Sequence, residues 1–163
     1  PQDLAPQDPA QRSGPGAPRS YLVTAIRRRA PGTERCWVDA YCSRDGGASW
    51  SFLSFVGDTG AANGNPPALL RLTDGRLCCV YGNRTRRQLL ARLGKLEARP
   101  TGEEGAVWGP ELVLREGYHS LEDDEDFGYP RLVQRSDGRV VVMYYWASAE
   151  HPTQHIAATI WEP

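Results

Sequence analysis

Residues 66–82, PPALLRLTDGRLCCVYG, lie over residues 129–145, YPRLVQRSDGRVVVMYY, with no gap. Pro67 falls on Pro130, Leu69 on Leu132, Asp74-Gly75-Arg76 on Asp137-Gly138-Arg139 and Tyr81 on Tyr144, always 63 residues apart. Each copy reads as a β-hairpin. Asp-Gly supplies a tight turn whose glycine takes positive φ, and the apolar residues on both arms make packed strands. Between the copies a second feature recurs: Trp50 opens WSFLSFV and Trp108 opens WGPELVL, 58 residues later. A unit of about 60 residues and four strands has the size of one propeller blade.

The rest of the chain fits an all-β reading. Short apolar runs at 21–26, 37–42, 50–56, 68–72, 77–81, 112–114, 131–133, 140–146 and 155–161 are broken by Gly, Asp and Pro and read as strands. No stretch after residue 20 sustains helical spacing. The run 89–96 is ambiguous: its residues favour a helix and its neighbours a strand. Residues 1–20 hold five prolines and no apolar period, so they read as an irregular N-terminal segment apart from the 21–163 unit.

Composition limits the partners. Nineteen basic residues balance 20 acidic ones for a net charge of −1, where a phosphate-backbone binder needs a basic excess, so no nucleic-acid partner is expected. No run approaches the ~18 apolar residues of a membrane span, and the polar, Pro-rich start is not an intact secretion signal. The compartment stays unassigned. Cys36, Cys42, Cys78 and Cys79 form no C-x-x-C pair and the three histidines lie far downstream, so no metal and no cofactor is expected. The cysteines read as small buried hydrophobes; a disulfide between the early and late pairs is open at this level.

The most specific motif is Ser43-Arg44-Asp45-Gly46-Gly47-Ala48-Ser49-Trp50, the pattern S-x-D-x-G-x-x-W between two strands. Asp45 accepts hydrogen bonds within its own turn, Gly47 relieves the backbone, and Trp50 anchors the next strand in the core. With the repeated hairpin and the terminal HIAATIW, this motif resembles the Asp-box of the BNR-repeat, six-bladed propellers of the sialidase superfamily. The resemblance covers about residues 20–163. It implies a partial six-bladed β-propeller, about three blades of four-stranded antiparallel sheets, forming the C-terminal half of the ring. Ser43, Asp45, Gly47 and Trp50 are then structural; the next copy, residues 99–108, keeps only Gly105 and Trp108.

On that blade order residues 21–56 give strands b, c and d, residues 67–115 a whole blade, and residues 130–161 strands a, b and c. Trp50 and Trp108 are expected buried between sheets. The Asp-Gly-Arg turns and the Asp-box share one face. The long polar connections 57–66, 82–88, 116–129 and 147–154 emerge on the other, where function is expected. Candidates there are Asp126, ending the acidic run 122–126; Arg131, as a bidentate carboxylate binder or an ion pair with that run; Tyr129 and Asn65; Arg84, inside an Asn83-Arg84-Thr85 sequon; and Tyr145 or Tyr144, which alternation sends to opposite sides. His155 reads as a strand residue.

The resemblance implies an exo-α-sialidase-type, retaining glycoside hydrolase acting on terminal sialic acid or other acidic glycans. In that family arginines hold the substrate carboxylate and a neutral tyrosine attacks without charge repulsion. It points to Tyr145 and Asp126 as catalytic and to Arg84, Arg131, Tyr129 and Asn65 as substrate-binding. The family's first arginine and acid/base aspartate come from early blades that this sequence lacks. The missing N-terminal blades are thus expected partners, and the 163 residues alone are expected inactive. The rival expectation is a non-catalytic BNR propeller that binds carbohydrate or protein.

Overall fold

The computed structural model describes residues 21–61, 64–98, 104–122 and 124–163. The Pro-rich start, residues 99–103 of the second, degenerate motif copy, and Asp123 lie outside the described residues. Every described element is a strand: β1 (Leu22–Arg29), β2 (Cys36–Ser43), β3 (Ser51–Gly60), β4 (Ala68–Arg71), β5 (Leu77–Asn83), β6 (Gln88–Ala98), β7 (Glu104–Trp108), β8 (Leu112–Arg115), β9 (Gly128–Gln134), β10 (Val140–Trp146) and β11 (His155–Trp161). They form three antiparallel meanders, ordered β1-β2-β3, β4-β5-β6-β7 with β8 also on β6, and β9-β10-β11. The 89–96 run is strand, inside β6. The middle sheet is the complete one. Its outer strand breaks at Gly109-Pro110, because Pro has no N–H for the ladder, so β7 and β8 pair with different parts of β6.

Both repeated hairpins turn as their sequence dictates. Gly75 and Gly138 sit at φ 88° and 86°, and Asp74 and Asp137 accept from the amides of Arg76 and Arg139 at 2.9 and 3.1 Å. The Gln134 side chain accepts from the Thr73 amide at 2.8 Å, bringing the two turns together on one face. At residues 43–50 the Ser43 hydroxyl donates to Asp45 at 2.8 Å and accepts from the Gly47 amide at 2.8 Å, while Asp45 accepts from the Ser49 amide at 2.9 Å. These bonds hold the Asp45 carboxyl well below the usual carboxylate range, the Ser49 hydroxyl contributing most.

Two cores lie between the sheets, and β5 faces both. Its Cys79 and Tyr81 pack with Val38, Ala40, Cys42, Leu53 and Val56 of the first sheet. Its Cys78 and Val80 pack with Val140, Val142, Tyr144 and Trp146 of the third. Alternation along one strand thereby joins three layers, each fully buried aliphatic or aromatic side chain contributing about 1.5–3 kcal/mol. All four cysteines are buried, and none is in a disulfide.

The tryptophan expectation holds for only one position. Trp108 is partly buried against the first core, with its Nε1 donating to Ser54 at 2.9 Å. Trp50 is 43% exposed. Its ring lies over its own turn, Nε1 donating to the Gly47 carbonyl at 3.1 Å, so the loop rather than a neighbouring sheet supplies its contacts.

The outer faces of the end sheets are apolar and open. Leu22, Ile26, Phe52 and Phe55 are exposed on the first, and Val133, Met143, Ile156 and Ile160 on the third. Blades of a partial propeller have this surface, because each normally covers the next.

Candidate functional site

The ends of β3, β5 and β10 and the starts of β4, β9 and β11 meet opposite the Asp-Gly turns. Arg84, just after β5, is 7% exposed and places Nη2 3.0 Å from Asp126 Oδ1. Its amide donates to the Thr59 carbonyl at 3.0 Å, which ties it to the end of β3. Asp126 Oδ1 also accepts from the Tyr145 hydroxyl at 2.7 Å. Burial raises the Tyr145 pKa above its ordinary value, and the bond to Asp126 raises it further. Tyr129 stacks on Tyr145 with ring centroids 5.4 Å apart and planes 24° from parallel. One face thus carries a buried guanidinium, a half-exposed carboxylate, a tyrosine hydroxyl aimed at that carboxylate and an exposed aromatic ring.

A second tier fixes the acidic loop. The Tyr118 hydroxyl lies 2.7 Å from Asp124 Oδ1 and 3.0 Å from the Asp126 carbonyl, which also accepts from Gln154 Nε2 at 2.7 Å. Ser120 donates to Asp124 at 2.8 Å. The Asp124 carboxyl consequently sits below its ordinary range, with the Tyr118 hydrogen bond as the main cause. The loop is built rather than merely solvated. Tyr118 and Gln154 were missed from sequence, and nothing local marked them: one looks like a stray aromatic in an irregular stretch, the other like a polar loop residue.

The remaining candidates divide. Tyr144 is buried, its hydroxyl 2.7 Å from Thr159, so alternation leaves Tyr145 for the site. Arg131 shares Tyr129's exposed face of β9 two residues further along, opposite Met143, with Nη1 donating to the Pro130 carbonyl at 3.0 Å. The ion pair with the acidic loop belongs to Arg84. Asn65 is fully buried, and its amide is spent on the backbone of residues 127–129, so it reaches the site only through other residues. Asn83 is buried too and donates to the Asp58 carbonyl at 3.1 Å, which removes it as a glycosylation acceptor. His155 is on β11, as expected. Among the described residues no cluster of His, Cys, Asp and Glu could hold a metal ion.

No protein-family model matches the chain, and no curated protein sequence matches it. Among solved structures it resembles an α-L-arabinanase from Penicillium chrysogenum complexed with arabinobiose, a propeller protein, at TM-score 0.58 and 19% identity over 86% of this chain. The likeness is one of fold. The chain spans 40% of that protein's length. A protein of unknown function from Dyadobacter fermentans aligns over 86% of this chain and 49% of its own at 18% identity, with a TM-score of 0.33.

Proposed function

We propose that the chain is the C-terminal half of a six-bladed, sialidase-like propeller whose loop face binds a terminal acidic sugar. In the completed ring it acts as a retaining, exo-α-sialidase-type glycoside hydrolase. The observation that carries this reading is the Arg84–Asp126–Tyr145 constellation at the mouth of three adjacent sheets. A phenol already hydrogen-bonded to a carboxylate can pass its proton there as its oxygen bonds to the anomeric carbon and the glycosidic bond breaks. Asp126 thus acts as the base that takes the Tyr145 proton. Arg84 holds Asp126 in place and is the site's guanidinium for the carboxylate of an acidic sugar. Tyr129 supplies an aromatic surface for the sugar ring. The acid that protonates the leaving oxygen belongs to blades upstream of this chain, which also cover the open face of the first sheet.

The non-catalytic reading keeps the same ligand class and drops the reaction. One observation favours it: burial and Asp126 both raise the Tyr145 pKa, so the hydroxyl stays protonated in the absence of substrate. Both readings require acidic-sugar binding. Calorimetric titration of the ring-complete protein with N-acetylneuraminic acid tests this requirement. Arg84→Met is expected to weaken binding at least tenfold, a loss of about 1.4 kcal/mol or more. Equal affinity in wild type and variant, or no binding to either, counts against the site.

A further inference from the structure

We propose that Asn65 is the positioning residue of this site: its buried amide clamps the Phe127–Tyr129 backbone and so sets the Tyr129 ring on Tyr145. The proposal rests on the acidic-sugar reading only for what that ring is for. Asn65 lies in the connection between β3 and β4, so it belongs to neither strand it holds. It is fully buried, with Nδ2 donating to the Phe127 carbonyl and Oδ1 accepting from the Tyr129 amide at 3.3 Å.

Two glycines make room for this amide. A Cβ at Gly82 would lie 2.7 Å from Asn65 Nδ2, and one at Gly128 2.6 Å from Oδ1. The three residues come from three different parts of the chain and fit only together. Gly128 sits at φ 102°, and Tyr129 follows at φ 50°. A bulky residue in the left-handed region is strained unless its surroundings hold it there, and such strain gathers at functional sites. Asn65 grips the peptide units on both sides of Gly128, the second of which leads into Tyr129. With that grip the Tyr129 ring is 45% exposed and stacked on Tyr145, above the Arg84–Asp126 pair. Without it, Tyr129 relaxes to extended φ, and alternation along β9 carries the ring off the stack.

The test uses nuclear Overhauser contacts between the rings of Tyr129 and Tyr145 in ring-labelled protein, read beside titration with N-acetylneuraminic acid. In Asn65→Ala the ring–ring contacts are expected to vanish, while the buried Tyr144 and Trp146 signals stay in place. Sugar affinity is expected to fall about tenfold, the order an aromatic platform contributes. In a Tyr129→Ala background the same Asn65 change is expected to leave affinity unaltered, which a purely structural role would not produce. Asn65→Asp keeps the acceptor and loses the donor, so it should weaken the ring contacts with the core intact. Ring contacts that persist in Asn65→Ala overturn the proposal. Core signals that move throughout in both Asn65 variants also overturn it, since the residue then supports the whole fold. If the contacts vanish as expected but wild type binds no sugar, the clamp stands and the acidic-sugar reading falls.

Discussion

Gly94→Ala tests how the first two sheets are joined. Gly94 pairs with Trp108 across β6 and β7, and an added Cβ would lie 2.7 Å from the indole Cε3 and 2.9 Å from Cδ2 and Cζ3. Carbon atoms rest at about 3.5–4.0 Å, so the ring must retreat by about 1 Å. It has little freedom to do so. Its Nε1 is bonded to Ser54 across the sheet interface, and Arg92 holds the carbonyls of Trp108, Gly109 and Val56. Overpacking costs about 1–3 kcal/mol, and loss of the Ser54 bond about 1 more. Removing a glycine from the unfolded chain offsets about 0.4–1 kcal/mol. The net expectation is a destabilisation of about 2 kcal/mol. Urea unfolding with an unchanged denaturant slope is the assay. In a Trp108→Leu background the clash is gone, and Gly94→Ala should be neutral or slightly stabilising. A change below about 0.5 kcal/mol in both backgrounds would refute the packing argument.

Two further expectations follow from the first sheet and the cores. Asp45→Ala should lower stability most at pH 7 and less in strong acid. The folded carboxyl titrates well below its ordinary value, so its contribution is complete above the usual carboxylate range and declines as pH falls toward the depressed folded value; the gap between thermal melts of wild type and variant should be wide at pH 7 and narrower at pH 2. Burial pushes the Cys78 thiol up to about 12 and Cys79 higher still. All four cysteines are buried, so a thiol reagent at pH 8 should modify none of them in the folded protein and all four after denaturation. Fewer than four after denaturation would mean that a disulfide had formed.

What was legible in the sequence depended on the range of the interaction behind it. The Asp-Gly hairpins, most of the strands and the opposite faces of Tyr144 and Tyr145 come from turn chemistry and alternation, which act within a few residues; β7 is not among the runs that read as strands. The break between β7 and β8 was not legible: Trp108 reads as opening a strand, but it closes β7, and Pro110 interrupts the outer strand after it. Trp50 was misplaced because its size demands contacts without saying that its own turn supplies them. Asp126, Arg84 and Tyr145 were named one by one, but their contact spans 42 and 19 residues and needed the sheets assembled. Asn65 was named as a substrate contact, and only the fitting of Gly82 and Gly128 around its buried amide reveals that it holds backbone instead.

The most direct test of the account is hydrolysis of 4-methylumbelliferyl N-acetylneuraminide by the ring-complete protein and its Tyr145→Phe variant. Fluorophore release by wild type, with kcat in the variant reduced about a thousandfold or more while KM changes little, is the predicted result. No release by wild type, or equal turnover by both proteins, would contradict the assignment of this face as a tyrosine-based glycosidase site.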